Sequence, residues 1–178
     1  MAGHSKWANI KHKKAIVDAK RGKLFTIHAK NIQVQSRLCG GDVNSPSLRT
    51  AIEAAKKDSV PKENIDRAVQ KGAGVGGDAM EQINYEAYGP GGVAMIIVTL
   101  TDNRNRSAQE VRHILTKQGL ELAAPGSAMW AFTTNDGGQT FEPTMTVDLS
   151  DADGEKLSNV LEALDESDEV SEVFINAN

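Results

Sequence analysis

The chain has 178 residues, 39% of them apolar, a formal net charge of −4 and a single cysteine. Cys39 alone excludes an internal disulfide framework, and no apolar run reaches the roughly 18 residues that a membrane-spanning helix needs. The net charge conceals an uneven distribution: residues 1–71 hold fifteen Lys or Arg against six acids, and residues 72–178 hold five against eighteen.

That division predicts two small domains, a basic one over 1–77 and an acidic one over 78–178. The basic module would face a polyanion while the acidic module is repelled, which orients docking. The basic N-terminus is not followed by the apolar h-region of a signal peptide and lacks the Arg and Ser richness of a transit peptide. It is expected to belong to the mature protein, and the expected compartment is the cytoplasm.

Residues 1–23, MAGHSKWANIKHKKAIVDAKRGK, carry seven basic residues against Asp18 alone, with Trp7 and His12 among them. Cations at this density neutralise phosphates and release counterions, and an indole between them can stack on a base. Residues 1–8 read as an extended arm, and a helical pattern begins at Asn9 and is interrupted at Gly22. Leu24, Ile27, Val34 and Leu38 set a second helical rhythm that ends at CGGD, residues 39–42.

Ser45 and Pro46 read as the N-cap and first position of the next helix, with Leu48, Ile52 and Ala55 on one face. Pro61 opens a further helix in which Ile65, Ala68 and Val69 face inward, and Gly72 is the expected left-handed stop. The result is a three- or four-helix bundle, with Lys56, Lys57, Lys62, Arg67 and Lys71 extending the basic field on its surface. GAGVGG at 72–77 satisfies G-x-G-x-x-G formally, but it follows a helix where a dinucleotide fingerprint must follow a strand, so it reads as a linker.

Residues 85–88 suggest a short strand, and Gly89-Pro90-Gly91-Gly92 a turn. The run VAMIIVTL at 93–100 is continuously apolar, which predicts a central strand covered on both faces. A helix follows with Ser107 and Glu110 as a capping box and Val111, Ile114 and Leu115 inward. Strands are expected over 127–132 and 141–149, then a helix capped by Ser150 with Asp153, then a strand over 170–176. Trp130 and Met80, Met95, Met129 and Met145 are expected in the core, and Cys39 at least half-buried.

The predicted fold class is therefore α+β: the helical bundle, then a ferredoxin-like βαββαβ domain with an added N-terminal strand. RNA-recognition motifs share this order, but the RNP1 pattern is absent. If this domain meets nucleic acid, Arg104 and Arg106 beside a helix N-terminus are the candidates for a phosphate. The candidate nucleic-acid-binding set is His4, Lys6, Trp7, Lys11, His12, Lys13, Lys14, Lys20, Arg21, Lys23, Arg104 and Arg106.

No catalytic constellation is legible. His4, His12, His28 and His113 stand at no metal-ligand or triad spacing with Cys39 or the acids, so no enzyme activity, metal or cofactor is expected. His28 reads as a residue at a helix boundary.

Three stretches carry a family resemblance: MAGHSKWANIKHKKAIVDAKRGKLFT at 1–26; GGD, LRTAIEAAK and VPKENIDRAVQKGAG within 40–74; and YEAYGPGGVA with LTDNRNRSAQEVRHILTKQG within 85–119. They closely resemble YebC-like proteins, which include bacterial proteins described as transcriptional regulators and the mitochondrial translational activator of cytochrome oxidase. Family members usually have a third domain inserted after a segment like SAMWAF. This chain has only the loop 133–140 there, and LELAAPG at 120–126 departs from the usual Gly-Asn-Leu-Gly pattern.

The resemblance implies a non-enzymatic, nucleic-acid-binding regulator of gene expression, acting on promoter DNA as a transcriptional regulator. The alternative it carries is a ribosome-associated translation factor that binds ribosomal RNA and relieves stalling. A third reading, from the element order alone, is a small-ligand-sensing regulatory module with the bundle as its output. No segment reads as a recognition helix suited to base edges, which counts against specific readout of duplex DNA.

Overall fold

The computed structural model describes residues 17–74, 79–135 and 140–178. The seven residues of the candidate set from His4 to Lys14 lie outside them, and so do the expected helix start at Asn9 and part of the expected linker at 72–77. Two compact units emerge: a helical one covering the described residues up to Ile83 with Leu100–Arg104, and an α+β one holding Asn84–Thr99 and Asn105–Asn178.

The helical unit contains α1 (Val17–Leu38), α2 (Pro46–Lys57) and α3 (Lys62–Gly72). Gly22 does not interrupt α1, which is one continuous helix. A single glycine costs a helix about 1 kcal/mol, and the packing of Ile32 against Leu48, Ala51, Ala55, Ile65 and Ala68 lies on the same helix. Ser45 and Pro46 occupy the N-cap and first position of α2, as their sequence suggests.

Residues 32–36 of α1 are all buried, including the polar Gln33, Gln35 and Ser36. Ser36 donates to the Val69 carbonyl at 2.7 Å, which ties α1 to α3. Gly72 lies where the two helices touch: a Cβ there would stand 2.5 Å from the Gln33 carbonyl and 2.6 Å from Ser36 Cβ. Its role is close approach, and the left-handed stop falls two residues later at Gly74, φ +95°.

The second part of the chain runs β1 (Glu81–Tyr88), β2 (Ala94–Thr101), α4 (Arg104–Lys117), β3 (Phe132–Asn135), β4 (Thr140–Pro143), α5 (Asp151–Asp165) and β5 (Val170–Ile175). Helices followed by a strand and then β-α-β-β-α-β is the α+β arrangement expected from the sequence. β1, β2 and β5 form one sheet in that order, and β3 with β4 forms a separate antiparallel hairpin in which Phe132 pairs with Pro143.

β2 is central and wholly buried. Met95 and Ile97 pack with Val111, Leu115, Leu157, Val160 and Leu164 on one face, and Ala94, Ile96 and Val98 pack with Ala128, Ala131, Phe132 and Phe141 on the other. The unbroken apolar run of the sequence has this cause.

Several local expectations change. Ser107 does not cap α4, which starts at Arg104 after the Thr101 hydroxyl accepts from the Asn103 amide at 3.0 Å. Ser107 is buried inside the helix, its hydroxyl hydrogen-bonded with those of Thr99 at 3.2 Å and Tyr85 at 3.1 Å, donating to one and accepting from the other. Of the segment 127–132 only Phe132 enters a strand, and Met129–Ala131 form a 3₁₀ turn in which Trp130 is 57% exposed. Met145 is exposed as well, beyond the end of β4. Ser150 does cap α5, accepting from the Asp153 amide at 3.2 Å.

The turn before β3 is held by Glu86, a buried carboxylate on β1. It accepts from the amides of Gly126 at 2.5 Å, Ala128 at 2.6 Å and Met129 at 2.9 Å. A carboxylate buried with three donors is compensated, and its removal would orphan all three.

Candidate nucleic-acid interface

Of the candidate set, Lys20 and Arg21 lie in the first turns of α1, and Lys23 is half-buried on the same helix. Arg104 and Arg106 fall in the first turn of α4, as the sequence placed them, but each has a carboxylate partner within the protein. Arg104 makes a two-pronged contact with Glu81, Nε to Oε1 at 2.7 Å and Nη2 to Oε2 at 2.6 Å. Those hydrogen bonds hold the Glu81 carboxyl below its ordinary value; desolvation opposes them, and the charges of Arg104 and Arg37 reinforce them. Arg106 Nε donates to Glu169 Oε1 at 2.9 Å, and Glu169 is buried.

His28 is in mid-helix rather than at a helix boundary, with Nε2 2.6 Å from Asp58 Oδ2. Cys39 is half-buried, its thiol near the carbonyls of Ser36 and Asp42.

The surface cations of α2 and α3 are placed differently. Lys56, Lys57, Lys62, Arg67 and Lys71 are exposed, and none has an ion-pair partner among the described residues. Arg67 and Lys71, one helical turn apart, border a cleft of about 310 Å³ between α1 and α3. From α1 the cleft is lined by Phe25, Ala29 and Gln33, an i, i+4 row that shares one face. Asn64 lines it from the start of α3.

A smaller adjoining recess shares Gln33 and Lys71 and continues the α1 row to Arg37, whose Nη1 donates to the Met80 carbonyl at 3.4 Å. No Asp or Glu lines either recess. Gln33 is 9% exposed, and its carboxamide has no hydrogen-bond partner among the described residues. The candidate set omits this cleft. Its sequence signal was Arg67 and Lys71 at i, i+4 beside the inward Ile65 and Ala68, but the opposing α1 row emerges only once the helices pack.

Among the described residues, no group of three or more His, Cys, Asp or Glu could hold a metal ion, and no helix is long and apolar enough to cross a membrane.

Residues 5–75 match the model of the TACO1/YebC protein N-terminal domain, and residues 80–137 match that of the TACO1/YebC second and third domain. A protein of Streptomyces avermitilis named a probable transcriptional regulatory protein is 40% identical, over 99% of this chain and 95% of its own length. A protein of the same name from Beutenbergia cavernae is 48% identical over 99% of this chain and 71% of its own. The crystal structure of a conserved hypothetical protein from Aquifex aeolicus superposes with a TM-score of 0.85 at 35% identity, covering 98% of this chain and 97% of that one. The chain belongs to the TACO1/YebC family.

Proposed function

We propose that this protein is a non-enzymatic regulator of gene expression that binds nucleic acid through its basic N-terminal part. The observation that carries the reading is the charge division, +9 over residues 1–71 against −13 over the rest. The unpaired cations of α2 and α3 support it, because surface lysines and arginines without carboxylate partners remain available to phosphate. The relatives' name, probable transcriptional regulatory protein, supports the same class of role.

In this reading the arm residues His4, Lys6, Trp7, Lys11, His12, Lys13 and Lys14, with Lys20, Arg21 and Lys23, form the main phosphate contact. Arg104 and Arg106 serve the fold through Glu81 and Glu169. Residues 1–77 act as the binding domain and 78–178 as an acidic scaffold. Where the family has its inserted domain this chain has only residues 133–140, which include the end of β3 and the start of β4. This view of the insertion is supported by the alignment with the Streptomyces relative, which runs over 237 positions for a chain of 178 residues. Promoter DNA is the target that the relatives' name favours. Ribosomal RNA is the second reading, favoured by the acid-free cleft bordered by Arg67 and Lys71 between α1 and α3.

Crosslinking the protein to nucleic acid in living cells and sequencing what is attached separates the two. Enriched promoter fragments would identify a transcriptional regulator, and reads concentrated at one ribosomal RNA site a translation factor. In vitro, log affinity should fall linearly with log salt, by about 0.9 per phosphate contacted on duplex DNA and about 0.7 on a single strand. Replacing Lys11, Lys13 and Lys14 together by alanine should flatten that slope by roughly 2 on a single strand. An unchanged slope would remove the arm from the interface.

A further inference from the structure

We propose that the cleft between α1 and α3 is a binding site for a single-stranded RNA segment, with Arg67 and Lys71 on successive phosphates and the Gln33 carboxamide on a base edge. The inference rests on the nucleic-acid reading above but uses residues outside the candidate set.

Two observations converge on the occupant. The cleft carries positive charge with no carboxylate on its walls, and Arg67 and Lys71 have no ion-pair partner among the described residues. Their spacing of four residues places them about 6 Å apart along the helix axis, the scale of one step along a sugar–phosphate chain.

Behind them lies Gln33, 9% exposed and lining both recesses, whose amide has no partner among the described residues. Its amide atoms are not among the fully buried ones that lack a partner, so they meet solvent through the recess, where a ligand's donors and acceptors would replace water.

Access to base edges distinguishes the polymers. A duplex keeps its base edges at the floor of its grooves and cannot carry them into a recess between two helices. A single strand can splay a base outward and present its edge, and RNA loops are where proteins commonly meet such bases. The cleft's volume of about 310 Å³ falls at the lower end of the range for small-ligand sites. Arg37, at the far end of the α1 row, already donates to the Met80 carbonyl and adds positive field rather than a primary contact.

The test uses the full chain and a fluorescent single-stranded RNA 12-mer of mixed sequence, with binding read by anisotropy across a salt series. Single-stranded DNA and duplex DNA of the same sequence are the comparison arms. The double variant R67A/K71A, altered only at exposed positions, should flatten the RNA salt slope by about 1.4, two single-strand contacts. K56A/K57A, which removes two exposed cations outside the cleft, should flatten it by less than half as much.

Q33M, close in shape but without the amide, should weaken RNA binding at every salt concentration while leaving the slope unchanged. Single-stranded DNA should bind more weakly than RNA, and duplex binding should be insensitive to Q33M. Equal effects of R67A/K71A and K56A/K57A would overturn the site, as would wild-type affinity in Q33M. Loss of duplex binding equal to that of RNA in R67A/K71A would overturn the single-strand assignment. If wild-type protein binds none of the three polymers, the nucleic-acid function itself fails. If binding persists and depends on Lys11, Lys13 and Lys14 alone, that function stands and the cleft does not.

Discussion

Arg67 and Lys71 on α3 stand exposed with no carboxylate in ion-pair reach among the described residues, whereas Arg104 and Arg106 on α4 each close on a glutamate. Both pairs are surface cations near helical elements, and sequence alone ranks the α4 pair higher because it adjoins a helix N-terminus. The structure separates them by what faces them. A guanidinium in a two-pronged contact with a carboxylate must break that contact before it can meet a phosphate, while an unpaired cation only releases water and counterions. Of the five cations after residue 78, Arg104, Arg106 and Lys156 face carboxylates, while Arg112 and Lys117 have no ion-pair partner among the described residues.

The largest expected effects test whether the two units can be broken separately. Ile32 and Leu115 are both fully buried, one in each unit, and truncating either to alanine should cost about 2–5 kcal/mol in urea unfolding. I32A should also reduce nucleic-acid binding, because the packing of α1 on α3 sets the basic surface. L115A, measured where it remains folded, should keep the wild-type salt slope. A flattened slope in L115A would show that phosphate binding depends on the α+β unit as well, and the contrast between the two regions would collapse.

Next in size is Glu86, the clearest case of a charge used for the fold. E86A would leave the Gly126, Ala128 and Met129 amides without their carboxylate, at a cost of about 3 kcal/mol. Hydrogen exchange at those three amides should accelerate with no change in the salt dependence of binding. A variant as stable as wild type would mean that water replaces the carboxylate without penalty.

Gly72 gives a smaller effect of the opposite kind, one that reaches the proposed interface. A methyl group there would press on the Gln33 carbonyl and Ser36 Cβ, so G72A should cost about 1–3 kcal/mol through overpacking. It should also weaken binding by moving α3, which carries Arg67 and Lys71. Full stability in G72A would mean that α1 and α3 separate easily, and the cleft would then have no fixed width.

These residues also mark what could be read from the sequence. VAMIIVTL, apolar but for Thr99, announced a strand buried on both faces, and β2 is that strand. Ser150 with Asp153 announced a cap and is one. Ser107 with Glu110 carried the same local pattern and is not, because Thr101 begins the turn earlier and Ser107 is taken up by Thr99 and Tyr85. Local spacing cannot show that competition. Trp130 failed for a related reason: SAMWAF reads as a strand, but the bonds from Ala128 and Met129 to Glu86 fold it into a turn. The arm was legible as charge, whereas the cleft was not, because the α1 row from Phe25 to Arg37 and the α3 row from Asn64 to Lys71 become one surface only through packing.

The smallest effect is the one that tests the contrast most directly. The hydrogen bonds from Arg104 hold the Glu81 carboxyl below the ordinary range, so the pair stabilises the fold at neutral pH. A depressed carboxyl contributes fully above its unfolded pKa, near 4.3, and loses that contribution as pH falls toward its lower folded value. Being exposed, the pair should be worth less than about 1 kcal/mol. The stability difference between wild type and E81Q should therefore be small at pH 7 and vanish toward pH 2. A difference that persists in acid would mean that the contact is not ionic. R104Q should show the same pH dependence while leaving the salt slope of nucleic-acid binding unchanged. If R104Q instead flattens that slope by about 0.7, the value for one single-strand phosphate, Arg104 leaves Glu81 to bind. Pairing within the protein would then no longer distinguish the cations that build the fold from those that meet the ligand.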